Sequence, residues 1–129
     1  MTHEYTILQG GLVLPGAAVQ GAQAIAWAAD AVLAIGTDEE VRAISRGDSR
    51  FVDLAGRVVI PLAPHVPPSW PAPATLEVGG PASLAILETD PRGGANHASL
   101  LKPVAVVRNG RLVSGSYPGR AEGGAAREP

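Results

Sequence analysis

The chain has 129 residues, of which 46% are hydrophobic and none is cysteine, and these values suit one globular domain. The net charge of −2 provides no basic surface for nucleic acid or an anionic membrane. The lack of cysteine excludes disulfides, thiolate nucleophiles and Cys-ligated zinc. No signal peptide is predicted, because the N-terminus, Met1-Thr2-His3-Glu4-Tyr5, has no basic region before an apolar stretch, and no membrane span is predicted, because the longest apolar run is Ala24 to Ala29. We expect a cytoplasmic protein without a cofactor.

Short apolar runs rich in Val, Ile and Leu dominate the first half of the chain and are separated by Gly and Pro. Such runs are typical of β-strands. The predicted strands are Tyr5–Gln9, Gly11–Leu14, Ala24–Ala29, Ala31–Ile35, Phe51–Leu54 and Arg57–Ile60.

One short helix interrupts the strands. Thr37 suits the N-cap position, and Glu40, three residues later, completes the pattern of a capping box. Acidic residues follow Thr37 directly, where the helix dipole favours negative charge. The apolar stripe predicts that the helix ends near Arg46-Gly47.

A proline-rich stretch follows the first group of strands. Six of the chain's 12 prolines lie between Pro61 and Ala74. Because proline donates no backbone hydrogen bond, residues 62–73 are predicted to form an extended loop without an interior strand or helix.

The second half of the chain again reads as β-structure. After an extended segment, Thr75–Val78, a strand is predicted at Ser83–Leu87. The clearest hairpin pairs Val104–Arg108 with Arg111–Ser114, because Asn109-Gly110 suits a type I′ turn. We predict a mostly β protein, a β-sandwich with one short helix. Its single domain, 1–114, is formed by the halves 5–61 and 74–114, joined by the loop 62–73 and followed by a disordered tail, 115–129.

Two blocks of sequence resemble the two ends of a metal-dependent amidohydrolase of the imidazolonepropionase or dihydroorotase type. The first holds ILQGGLVLPG, AVLAIG and FVDLAGRVVIP between Ile7 and Pro61, and the second holds ATLEVGGPASLAILETDP and VAVVRNGRLV between Ala74 and Val113. In that family, the corresponding segments build a small composite β-sandwich beside a catalytic barrel. The resemblance therefore implies the sandwich domain of a metallo-dependent hydrolase, with the catalytic TIM barrel missing.

The segment after Pro61 departs from the family pattern. The family carries a Gly, an Asp and a metal-binding His-x-His pair there, whereas this chain reads Leu62-Ala63-Pro64-His65-Val66-Pro67. Ser83 stands where the family usually has Asp, and the single lysine, Lys102, lies outside any barrel strand. We therefore expect no catalytic, cofactor-binding or metal site, and no enzyme.

His65 is the weak candidate for a metal ligand, because it falls where the metal-binding pair of the family begins. A hydrolytic metal needs about three converging protein ligands. The histidines His3, His65 and His97 are far apart in sequence, so a solvent-exposed loop histidine is the favoured interpretation. The carboxylate pairs Glu39-Glu40 and Glu88/Asp90 are interpreted as a helix start and a solvated strand end.

The loop 62–73 also holds the candidate interaction residues Leu62, Val66 and Trp70. In the family the sandwich packs against the barrel, so one flank should be apolar. Without a barrel, this flank needs cover from the loop, a second copy or another protein. We predict a homodimer or a protein partner at the barrel-facing flank, and no contact with nucleic acid or membrane.

Four functions stay open at this point. The first is a stand-alone structural or protein-interaction module. The second is a hydrolase of C–N bonds that is completed by a barrel in trans or by a composed metal site. The third is a small-ligand binder with a pocket between sandwich and loop. The fourth is a deletion product of a longer amidohydrolase, natural or engineered, without a role of its own.

Overall fold

The computed structural model of the protein describes residues 5–16, 20–45, 49–93, 100 and 102–118. Its strands form two sheets. The first has four strands in the order β4-β3-β1-β5, in which β1 is antiparallel to β3 and parallel to β5. The strand bounds are β1 Tyr5–Gln9, β3 Ala24–Ala28, β4 Ala31–Gly36 and β5 Arg50–Asp53.

The second sheet contains strands from both halves of the chain, in the order β2-β6-β7-β8-β9. Its β2 is parallel to β6, and the remaining neighbours are antiparallel. The bounds are β2 Leu12–Val13, β6 Val58–Pro61, β7 Leu84–Leu87, β8 Ala105–Arg108 and β9 Arg111–Gly115. The pairing of β6 with β7 joins the two halves across the proline-rich loop. Across the described residues, the prediction of a mostly β sandwich with one short α-helix is confirmed.

The main core lies between the two sheets. Side chains alternate along each strand, so every second residue points inward. The first sheet contributes Leu8, Ile25, Trp27, Val32 and Val52, all at most 1% exposed. Opposite them lie the buried inward residues of the second sheet: Val13, Val59, Leu84, Ile86, Ala105 and Val107.

The helix α1, Asp38–Arg42, covers the outer face of the first sheet. The predicted capping box is confirmed, since Thr37 Oγ1 accepts from the Glu40 N–H at 3.1 Å and Glu40 Oε1 accepts from the Thr37 N–H at 2.9 Å. Val41 packs onto Ile7, Ala24 and Ala26 of the sheet. The predicted end near Arg46-Gly47 is wrong, because the C-cap is Ala43.

Two segments outside the ladders also contact the core. The segment Thr75–Val78 joins no ladder; instead, the N–H of the buried Leu76 donates to the Pro15 carbonyl oxygen at 2.7 Å. Tyr117, beyond the predicted domain end at Ser114, is 8% exposed and packs into the core. The Arg50 guanidinium lies 5.8 Å from the centre of the Tyr117 ring and makes a cation–π contact with it. Residues 119–129 of the predicted tail lie outside the described residues.

Candidate interaction surface

The outer face of the second sheet is apolar and carries its own cluster of buried side chains. All four residues of β6 are buried. Val59 faces the core between the sheets, whereas Val58 and Ile60 face outward and belong to the second cluster. A strand that is buried on both faces needs a further layer on its outer side. The cluster consists of Leu14, Val58, Ile60, Leu62, Ala85, Leu87 and Val106, with Leu12, Trp70 and Leu100 partly buried against it.

The proline-rich loop supplies part of this further layer, and we call residues 62–73 the strap. Leu62 is 5% exposed, and its N–H donates to the Ser83 carbonyl oxygen at 3.1 Å at the end of the β6–β7 pairing. Trp70 packs against the cluster and stays partly exposed. The structure thus shows Leu62 and Trp70 of the strap packed against the apolar outer face of the second sheet.

A tight turn shapes the first part of the strap. The Val66 N–H donates to the Ala63 carbonyl oxygen at 3.3 Å, so Pro64 and His65 are the two central residues. Pro64 suits the first central position because its φ is already restricted to the value needed there. His65 has a φ of 62°, in the left-handed region that favours glycine. The turn therefore places the His65 side chain in an exposed position.

Arg108, the last residue of β8, connects the sheet to this turn. Its Nη1 donates to the Ala63 carbonyl oxygen at 3.1 Å, and its Nη2 donates to the Val66 carbonyl oxygen at 2.8 Å. Both hydrogen bonds are partly buried and come from a charged donor, which makes them stronger than bonds between neutral groups. The guanidinium thereby holds the first and the last carbonyl of the turn.

The outer side of the strap is uncharged. Residues 62–73 contain no Asp, Glu, Lys or Arg, in a chain of which 17% is charged. Val66 and Trp70 are partly exposed. The most exposed residues of the strap are His65 and four prolines: Pro64, Pro67, Pro71 and Pro73. The strap itself therefore contributes no Asp, Glu, Lys or Arg side chain to the protein surface, and the partly exposed Arg108 lies beside its first turn.

The other predicted site residues take separate places. His3 and His97 lie outside the described residues, and Lys102 is exposed. In the described ranges, no three His, Cys, Asp or Glu side chains come together where they could hold a metal ion. His65 belongs to the strap and is the only histidine among the described residues.

In the two carboxylate pairs, Glu39-Glu40 and Glu88/Asp90, three side chains make structural contacts. Glu40 belongs to the capping box, and Glu88 forms an ion pair with Arg57 at 3.1 Å. Asp90 forms a 2.6 Å ion pair with Arg92. The hydrogen bond from the Arg92 side chain holds the pKa of Asp90 below its usual value, and the same bond raises the pKa of Arg92. The interpretation of these carboxylates as structural agrees with their contacts.

Two features of this side of the molecule were not predicted. The role of Arg108 depends on the strap folding back over the sheet, and its only sequence signal was a cation next to a hairpin turn. Ser83 accepts a hydrogen bond on Oγ from the Asn109 N–H at 3.0 Å. Ser83 therefore contacts the hairpin turn with its side chain and the start of the strap with its backbone.

The edge strand β9 is a second exposed apolar feature. All five of its residues are exposed, with Leu112 at 39% and Val113 at 56%. A bulge interrupts its pairing with β8 between Val106 and Val107. Bulges of this kind twist an edge strand and make it a poorer template for another strand.

The fold and this surface define a two-sheet β-sandwich with a helix on one outer face and a proline-rich strap on the other. None of the helices in the described part of the chain is long and apolar enough to cross a membrane.

Comparisons with known proteins gave two similar solved structures. One is an uncharacterized metal-dependent hydrolase from Pyrococcus furiosus, with 18% identity and a TM-score of 0.39 over 45% of this chain and 13% of that chain. The other is an uncharacterized metal-dependent hydrolase from Pyrococcus horikoshii OT3, with 21% identity and a TM-score of 0.40 over 46% of this chain and 13% of that chain. No protein-family model matches the sequence, and no curated protein does. The resemblance to amidohydrolases stays a prediction.

Proposed function

We propose that this chain is a non-catalytic β-sandwich module with a structural or protein-interaction role, and that it associates with a second copy of itself through the strap. The observation that carries the proposal is the uncharged surface of residues 62–73, which lies over the apolar face of the second sheet. Exposed surface of this kind is typical of protein–protein contact sites.

The chemistry of the strap favours a second copy as the partner. Like charges that face each other across an interface are costly. Because the strap has no charged side chain, two straps can face each other across a twofold axis without this cost. Trp70 is partly exposed beside prolines, and aromatic side chains are common anchors at the centre of interfaces.

Sedimentation velocity over a range of concentrations tests the proposal. We expect the wild-type chain to dimerise, and we expect His65→Asp or Pro67→Glu to shift it to monomer by placing equal charges opposite each other. Both positions are exposed, and Asp tolerates the positive φ of His65.

Val113→Asp is the matched control, because it adds the same charge at an exposed apolar residue of β9. It should leave the dimer intact. A wild-type chain that stays monomeric at high concentration would contradict the proposal. So would a dimer that only Val113→Asp disrupts, which would place the interface at the β9 edge.

The proposal that the module is non-catalytic needs its own test. The alternative, a hydrolase acting on C–N bonds, requires a bound metal. Elemental analysis of the purified protein, together with hydrolysis assays on amides and cyclic amides with added zinc or manganese, separates the two functions. Stoichiometric metal that is lost in His65→Asn, together with turnover of any of these substrates, would establish the hydrolase.

A further inference from the structure

We infer that Arg108 is a positioning residue for self-association, because it holds the strap in the shape that a second copy would contact. This inference rests on the proposed function and adds the element of the fold that controls the same surface. The geometry that points to it is the pair of hydrogen bonds from one guanidinium to the carbonyl oxygens of Ala63 and Val66.

The composition of the strap explains why it needs such a contact. Prolines 64, 67, 68, 71 and 73 have no backbone N–H, so the strap has few donors with which to pair with the sheet. At its start, Leu62 bonds to Ser83, whereas the Val66 N–H is used inside the turn. Carbonyl oxygens remain as the groups through which the strap backbone can be held, and they require a donor from the sheet.

Arg108 meets this requirement from a rigid position. It lies at the end of β8, next to the hairpin turn, and its partly buried guanidinium contacts both ends of the 63–66 turn. A planar guanidinium can donate to two acceptors in fixed directions, whereas the ammonium of lysine acts as a single point charge. Replacement of Arg108 by Lys should therefore keep the charge and lose the geometry.

The order of the strap matters for binding because a preformed surface loses less conformational entropy on association. Without Arg108, the turn and the Trp70 that follows it would sample other positions over the sheet. Fewer molecules would then present the surface that a second copy contacts, and the apparent association constant would fall in proportion.

Amide hydrogen exchange, measured residue by residue, tests the positioning role directly. In Arg108→Met, which keeps an apolar stem and removes the donors, the Val66 amide, which is hydrogen-bonded inside the turn, should exchange roughly tenfold faster or more. The amides of Ile86 and Val106, in the ladders of the second sheet, report whether the core stays folded. Arg111→Met is the matched control, because it removes an exposed guanidinium from the cross-strand partner of Arg108 and should leave the strap amides unchanged.

Sedimentation velocity on the same variants measures the consequence for association. We expect the association constant to fall roughly tenfold or more in Arg108→Met and by less in Arg108→Lys, with Arg111→Met close to wild type. If Arg108→Met unfolds, Arg108→Lys decides: strap exchange equal to wild type would overturn the inference.

The possible results separate the inference from the proposed function. Wild-type strap exchange in Arg108→Met would remove the positioning role even if the chain dimerises. If the strap amides exchange faster in Arg108→Met but the association constant is unchanged, Arg108 holds the strap in place and has no role in association. A dimer that strengthens when the strap is released would also overturn that role, because the sheet face beneath the strap would then be the contact surface.

Discussion

The indole N–H of Trp27 donates a hydrogen bond to the carbonyl oxygen of Gly110, at 3.3 Å, across 83 residues of sequence. Trp27 belongs to the first sheet, and Gly110 forms the tip of the hairpin in the second. The N–H of Gly110 also donates to the Ala82 carbonyl oxygen at 2.8 Å. This contact joins the two sheets and the two halves of the chain at one end of the sandwich.

We predict that Gly110→Ala is strongly destabilising. The φ of Gly110 is +82°, and a Cβ atom there would lie 1.7 Å from the Ala29 carbonyl oxygen. The substitution should lower the free energy of unfolding by about 3 kcal/mol or more, because backbone must move as well as adopt a strained φ. Urea unfolding followed by tryptophan fluorescence measures the change.

Gly56→Ala is the matched control for this prediction. Gly56 has a similar φ of +84°, but no heavy atom lies within 4 Å of the position that an alanine methyl group would take. Its cost should be limited to the backbone term of about 1–2 kcal/mol. If both substitutions lower the free energy of unfolding equally, the close approach of the hairpin tip to Ala29 does not contribute to the cost of Gly110→Ala.

Thr37→Ala should destabilise the fold through the helix that covers the first sheet. The Thr37 side chain accepts the Glu40 N–H, and loss of such a cap costs about 1 kcal/mol. The five-residue helix carries the buried Val41, so its loss would also uncover Ile7. Chemical denaturation measures the effect. Thr37→Ser, which keeps the acceptor oxygen, should retain most of the stability, and a loss as large as that in Thr37→Ala would argue against the cap.

The turn in the strap predicts opposite results for two substitutions of His65. His65→Gly should be tolerated, because glycine adopts a positive φ without steric cost. His65→Val should destabilise by about 1–2 kcal/mol, because a β-branched side chain is disfavoured there. Thermal unfolding of both variants checks the order. If the two variants unfold alike, the left-handed conformation of His65 does not matter for stability.

The ion pair of Asp90 and Arg92 predicts a small acid-dependent part of the stability. The pKa of Asp90 in the folded protein lies below its ordinary value of 3.8, mainly because the Arg92 side chain donates to it. A lowered carboxyl pKa stabilises the fold above 3.8 and loses this contribution as the pH falls through the folded value. Both side chains are partly exposed, so the effect should be small.

Urea unfolding of wild type and Asp90→Asn between about pH 7 and about pH 3 tests this prediction. Wild type should be the more stable at neutral pH, and the difference should narrow in acid. Because Glu88 pairs with a different arginine, Glu88→Gln reports the background acid sensitivity of this strand end. A difference that widens in acid would reverse the sign and contradict the assignment.

Much of the fold followed from local sequence. The short strands are bounded by Gly and Pro signals, and Thr37 and Glu40 form the predicted capping box. The turn at Asn109-Gly110 has φ values of 53° and 82°, as a type I′ turn requires. These predictions succeeded because capping and hairpin turns depend on residues that are neighbours in the chain.

The errors have local causes as well. The apolar stripe suggested a longer helix, yet α1 ends at Arg42, because only Val41 faces the sheet and Ile44 is 37% exposed. Tyr117 follows the last predicted strand in a stretch without periodicity, but it reaches the core. Burial of a single aromatic residue after a strand leaves no periodic pattern to detect.

The sequence alone determined the β-sandwich class, the capped helix, the hairpin turn and the proline-rich nature of residues 62–73. Tertiary structure decided where the strap lies and what holds it there. The sequence showed that the strap cannot join a ladder, because proline lacks an N–H, but many paths remain open to such a segment. Its actual path depends on the apolar face formed by β6, β7 and β8, and on Arg108, 42 residues beyond the Val66 carbonyl that it binds.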